Sequence, residues 1–173
     1  MKNYKQLLGK IKTLIFDVDG VMSKNHVFLT TDREMMRTAN VKDGYALHLA
    51  VRKGYRIVII SGGISTAVRN RFEVLGVKDI FLGVSNKIEI FNHFVGQNQI
   101  DPKTCLYMGD DIPDYEVMEA VGLPTCPSDA AEEIKKISVY ISDCKGGEGC
   151  VRDVIEQVMK VQGTWMTDGA FHW

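Results

Sequence analysis

Apolar and polar positions alternate along this chain with two different periods. Short runs of Ile, Val, Leu and Phe recur at residues 12–16, 55–60, 79–82, 105–108, 122–125 and 138–141. Their length, and the polar turns that bound them, predict strands buried on both faces. Between these runs, helical spacing covers residues 44–53, 66–75, 87–95, 114–121 and 149–161. Asp129 with Glu132 reads as a capping pair that opens a further short helix after Pro127. Strand and helix in strict alternation predict an α/β fold, a Rossmann-like three-layer sandwich with a central parallel sheet.

One segment breaks the rhythm. Residues 26–30 and 34–39, on either side of 31–33, predict a β-hairpin inserted between the first strand and the first main helix. Val27, Phe28, Leu29, Met35 and Met36 make it apolar, and a two-stranded ribbon cannot bury such a surface by itself, so a covering partner surface is expected. The unit closes at residue 161 as one domain. Residues 162–173 lose helical periodicity and read as a frayed tail, with Trp165, Phe171 and Trp173 leaving docking onto another surface open.

A length of 173 residues suits a single core. The formal net charge of -1 removes a general electrostatic case for nucleic acid or an anionic membrane. No apolar run is long enough for a bilayer, and residues 1–5 lead into no signal-type apolar core, so a soluble, cytoplasmic protein is expected. The cysteines show no C-x-x-C pair and no zinc spacing with histidine. Cys105 and Cys126 fall in strand-like runs and read as core residues; Cys144 and Cys150 flank a Gly-rich turn and read as exposed thiols.

Candidate chemistry collects at the predicted strand ends. Asp17-Val18-Asp19-Gly20-Val21 follows the first run directly, which places two carboxylates at the edge where open α/β sheets bind ligands. Aspartates two apart can divide nucleophilic and proton-transfer work if a cation screens them, although the same D-x-D-G pattern also suits a plain turn. After the second run come Ser61, Gly62 and Gly63, a hydroxyl and flexible amides suited to anionic oxygens. Lys87 opens a predicted helix, where the dipole disfavours a cation unless carboxylates or an anionic substrate neutralise it. After the fourth run, Gly109-Asp110-Asp111-Ile112-Pro113-Asp114 crowds three carboxylates, a hard-oxygen set suited to Mg2+.

In this order the four pieces resemble a haloacid dehalogenase (HAD) superfamily phosphatase, over nearly the whole chain. The resemblance implies that Asp17 is a nucleophile forming an aspartyl-phosphate and Asp19 the general acid and base. It implies that Ser61 and Lys87 hold the phosphoryl group, and that Asp17, the carbonyl of Asp19 and Asp110 bind Mg2+ with Asp111 and Asp114 in support. The gaps from Asp19 to Ser61 and from Ser61 to Lys87 leave no room for a large cap domain.

More narrowly, the hairpin, Asn40-Val41-Lys42-Asp43-Gly44-Tyr45, Gly83-Val84-Ser85-Asn86-Lys87 and Lys145-Gly146-Gly147-Glu148-Gly149 with Arg152 resemble the 3-deoxy-D-manno-octulosonate 8-phosphate (KDO 8-phosphate) phosphatases. That family implies a capless homotetramer whose sites are covered by neighbouring subunits and which serves lipopolysaccharide precursor synthesis. It implies substrate contacts from Asn40, Val41, Lys42, Asp43, Gly44, Arg71 and the Ser61-Gly62-Gly63 turn, and a tail able to reach a neighbouring site. On spacing alone Arg71 is a solvated helix residue. His48 and Gly63 stand where well-known bacterial members commonly carry arginines. His48 is thus either a ligand or a helix-face packing residue. The sugar acid stays open between KDO 8-phosphate and a nonulosonate 9-phosphate, and a non-catalytic regulatory subunit of a cytidylyltransferase is the reading from another class.

Overall fold

A computed structural model of the chain describes residues 4–31 and 35–172. Six parallel strands form its sheet: β1 (Thr13–Phe16), β2 (Arg56–Ile60), β3 (Asp79–Phe81), β4 (Cys105–Met108), β5 (Leu123–Cys126) and β6 (Tyr140–Ile141), in the order β3-β2-β1-β4-β5-β6. The helices are α1 (Tyr4–Leu8), α2 (Val41–Arg52), α3 (Thr66–Val74), α4 (Lys87–Gln97), α5 (Tyr115–Ala120), α6 (Glu132–Ile137) and α7 (Cys150–Val161).

Side-chain alternation explains the three layers. Leu14, Phe16, Ile57, Ile59, Leu106 and Met108 join one buried cluster with residues of α2, α3 and α7. Their neighbours Ile15, Val58, Ile60, Cys105 and Tyr107 join the other, with Phe91, Val117 and Ile134 from α4, α5 and α6. Each such side chain, when fully buried, contributes about 1.5–3 kcal/mol relative to exposure. The predicted strands and the α/β class therefore stand. The strand order places the crossovers from β1 and β4 on opposite sides, which opens a crevice at their carboxyl ends.

One element is added and three local expectations are corrected. A short helix, α1, precedes the first strand and is anchored by the fully buried Leu8. Asp129 does not cap α6: the chain enters that helix at Ala131, and the Asp129 carboxylate accepts instead from the Gly146 amide at 2.9 Å. Cys150 is buried, with Sγ 3.3 Å from the Val21 carbonyl, because it opens the apolar face of α7. The inserted hairpin is reduced, among the described residues, to one antiparallel bridge in which Phe28 and Met36 exchange amide hydrogen bonds of 3.0 and 3.1 Å. Asp32, Arg33 and Glu34 of the expected hairpin lie outside the described residues. Its apolar character persists: Phe28 is 61% and Leu29 82% exposed.

The tail folds back on its own chain. Tyr45 donates to the Ala170 carbonyl, Lys53 Nζ donates to Thr167 Oγ1 at 2.7 Å, and the Arg152 guanidinium lies over the Trp165 ring at 5.4 Å. No helix among the described residues is long and apolar enough to cross a membrane.

Asp43 ties α2 to α7. Its Oδ1 accepts from the Arg152 amide at 2.8 Å, supplying the first turn of α7 with an acceptor, while Oδ2 is buried without a hydrogen-bond partner. Burial pushes this carboxyl up from 3.8 to about 6, although the Arg152 and Gly149 amides and the Arg152 charge pull the other way. A folded value above the unfolded one means that the native state binds more protons between roughly pH 4 and 6, so this contribution is lost as pH rises through about 6. Wild type should accordingly gain on Asp43→Asn by on the order of 2–3 kcal/mol between pH 7 and pH 4 in urea unfolding. A constant difference across that range would contradict it.

Candidate active site

The carboxyl ends of β1, β2 and β4 and the first turn of α4 surround a cleft of about 500 Å3. Asp17, Asp19, Ser61, Gly62, Gly63, Lys87, Asp110, Asp111 and Asp114 all line it. Backbone geometry makes this convergence possible. Gly20 takes φ 85°, and a Cβ there would stand 2.0 Å from Asp110 Oδ2, so the D-x-D-G glycine is what lets the β4 carboxylate lie against the β1 loop.

Lys87 is the electrostatic centre. Its ammonium lies 3.0 Å from Asp17 Oδ1 and 2.7 Å from Asp114 Oδ1, and all three side chains are buried. Burial pulls the lysine down, but Asp17 and Asp114 outweigh it and leave it above its usual range. This answers why a cation opens α4. Asp114 is saturated: Oδ1 also accepts from Tyr107 Oη at 2.6 Å, and Oδ2 from the Asp110 amide at 3.1 Å. It orients Lys87 and the Asp110 backbone. Asp111 Oδ1 accepts from the Ile112 amide at 2.8 Å and caps the 3-10 turn Ile112–Asp114.

Carboxylate oxygens of Asp17, Asp110 and Asp114 lie within 4.8 Å of one another. Burial, then repulsion from Asp114, pushes Asp17 up to about 7 against the pull of Lys87. Burial, then Asp17 and Asp114, pushes Asp110 up to about 8. Hard oxygen donors crowded at such cost fit a small divalent cation.

Asp19 is half-exposed and engages Arg37, with Oδ1 2.5 Å from Nε and Oδ2 2.9 Å from Nη2. Sequence reasoning missed Arg37, because its partner lies eighteen positions away across an irregular segment. Ser61 is buried, and its Oγ accepts from the Gly63 amide at 3.2 Å.

The remaining expected substrate contacts sit elsewhere. Asn40, Asp43, Gly44 and Arg71 line a second cavity of about 340 Å3, walled by Met22, Leu47, Phe72 and Leu75 and shared with Arg37. Asn40 also caps α2, accepting from the Lys42 amide at 2.9 Å and donating to the Gly147 carbonyl at 3.2 Å. Val41 and Lys42 are exposed and line neither cavity. His48 packs with Nδ1 3.2 Å from the Leu75 carbonyl at the end of α3, so the structure does not bring it to the cleft.

No family model matches the chain. The 3-deoxy-D-manno-octulosonate 8-phosphate phosphatase of Salmonella typhi is 34% identical over 153 residues, 88% of this chain and 81% of that relative. The chain belongs to the KDO 8-phosphate phosphatase family. Solved structures agree with that membership. The Yersinia pestis enzyme of the same name superposes with a TM-score of 0.89 at 31% identity, covering 92% of this chain and 86% of its own. The Moraxella catarrhalis enzyme, solved in complex with magnesium ion, phosphate ion and KDO, has a TM-score of 0.91 at 28% identity and 95% coverage of both chains. The family places this chain among phosphoric monoester hydrolases, as the motif order leads one to expect.

Proposed function

We propose that this chain hydrolyses KDO 8-phosphate to KDO and phosphate. The observation that carries this reading is Lys87 held between Asp17 and Asp114 in the buried wall of an acidic cleft, in a chain of this family. Asp17 attacks phosphorus and the ester oxygen leaves, taking a proton from Asp19; the product is an aspartyl-phosphate and a free alcohol. Asp19 then takes a proton from water as that water attacks the acyl phosphate, which restores the Asp17 carboxylate and frees phosphate. Lys87, the Ser61 hydroxyl and the Gly62 amide hold the phosphoryl oxygens, while the Gly63 amide donates to Ser61 Oγ and orients that hydroxyl.

Asp17, the Asp19 carbonyl and Asp110 would hold Mg2+, which when bound screens the carboxylate from the phosphate dianion and polarises a phosphoryl oxygen. Its fit rests on the raised Asp17 and Asp110 and on their hard oxygen donors. The names of the relatives favour KDO 8-phosphate over a nonulosonate 9-phosphate. Asp17, Asp19, Ser61, Lys87 and Asp110 in one cleft favour an enzyme over a regulatory subunit, which has no need of the full set. Exposed Phe28, Leu29, Met35 and Met36 support a homotetramer in which a neighbour covers the cleft.

Phosphate release with and without Mg2+ on KDO 8-phosphate, a nonulosonate 9-phosphate and hexose phosphates tests the reading. KDO 8-phosphate is expected to be turned over fastest and only with metal. Equal turnover of all three would remove the substrate assignment, and none would remove the activity. Light scattering on the same sample should return a tetramer; a monomer would remove the proposed cover.

A further inference from the structure

The ion pair between Arg37 and Asp19 conflicts with the work assigned to Asp19. Both carboxylate oxygens accept from the guanidinium and Oδ1 also from Ser23 Oγ at 3.3 Å, so most of the lone-pair sites are taken and the carboxylate's orientation is set by the arginine rather than left to a leaving oxygen or a water. The guanidinium is held from its other side by the Met35 carbonyl, to which Nη1 donates at 2.8 Å. It belongs to the inserted arm, whose pairing among the described residues is the single Phe28–Met36 bridge.

Gly63 makes the arrangement possible. A Cβ at that position would stand 2.7 Å from Arg37 Nη2 and 3.2 Å from Asp19 Oδ2. The space a side chain would fill is the space the guanidinium uses. The same guanidinium borders both the acidic cleft, through Asp19, and the second cavity, through its own lining contact. It therefore stands beside both cavities.

Resting on the phosphatase reading, we propose that Arg37 guards Asp19 and sets specificity for an anionic substrate. It occupies Asp19 until the carboxylate of an incoming sugar-acid phosphate takes the guanidinium, and only then is Asp19 free for proton transfer. The exchange is cheap for the right substrate because one bidentate carboxylate partner replaces another of the same geometry. A phosphomonoester without a carboxylate must break the pair uncompensated. Discrimination then comes from a penalty on the wrong substrate as well as from a contact to the right one.

The test measures kcat and KM on KDO 8-phosphate and on arabinose 5-phosphate, which has no carboxylate, for wild type, Arg37→Ala and Gly63→Ala. Arg37→Ala is expected to lose about tenfold in kcat/KM on KDO 8-phosphate, mainly through KM, and to gain several-fold on arabinose 5-phosphate. Gly63→Ala keeps the cation but displaces it, and should show the same gain on arabinose 5-phosphate. Opposite movements on the two substrates are not produced by damage to the fold. Losses by one common factor in Arg37→Ala, or an unchanged preference, would overturn the guard while leaving the phosphatase reading intact. A wild type with no preference for KDO 8-phosphate would instead overturn the substrate assignment, and the guard with it.

Discussion

Asp17→Asn is expected to abolish phosphate release, lowering kcat on the order of 10^4-fold or more, the scale on which losing a covalent nucleophile is felt. The amide matches the carboxylate in shape but has no anionic oxygen with which to open the phosphorus centre. KM should hold or fall, because the repulsion between Asp17 and a phosphate dianion disappears with the charge. The fold should survive. Asp17 is buried and pushed up to about 7, so a neutral side chain is close to what the metal-free site already favours. A thermal melt without metal is expected to give a midpoint no lower than wild type. A variant retaining more than about one hundredth of wild-type turnover would remove Asp17 from the role of nucleophile.

Lys87→Met carries the largest expected cost in stability. The methionine replaces the lysine stem at similar volume but leaves Asp17 and Asp114 buried without their shared cation, 3.0 and 2.7 Å away in the wild type. Breaking a buried pair in this way costs about 3–5 kcal/mol. Protonated carboxyls need no counter-charge, so the deficit should shrink as pH falls below about 7, the value to which Asp17 is already raised. Urea unfolding at pH 8 and pH 5.5 reads both effects. A variant within about 1 kcal/mol of wild type at pH 8 would show that Lys87 does not hold the cluster together.

Much of this site was legible in the sequence because each piece is tied to a periodic element. Asp17, Ser61 and Asp110 follow apolar runs of strand length, and Lys87 opens a segment of helical spacing, so their positions in space follow from strand order alone. Arg37 had no such handle. Its arm has neither period, and its partner is fixed by a loop closure rather than a repeat. Cys150 was misread for a related reason: the flanking glycines suggested an exposed turn, whereas the residue begins a helix with a continuous apolar face. α1 was missed because one turn of helix leaves too short a pattern to detect, and tertiary contacts sustain it: Leu8 docks in the core and Tyr4 stacks on Tyr140. Asn40 and Asp43, expected at the substrate, hold helix ends, a use that spacing alone does not reveal.

The turn that precedes α7 is wedged behind the β1 loop: a Cβ on Gly146 would stand 1.9 Å from the Gly20 carbonyl, and the Gly147 amide donates to the Val21 carbonyl at 2.9 Å. During synthesis, which proceeds from the amino end, every charged group of the cleft has emerged by Asp114, some thirty residues before this wedge. The nascent chain thus carries its acidic cluster for a time without the brace behind the loop of Asp17 and Asp19. Its chemistry is spelled early and braced late: the loop of Asp17 and Asp19 gains its backing only when the turn at Gly146 and Gly147 packs behind it.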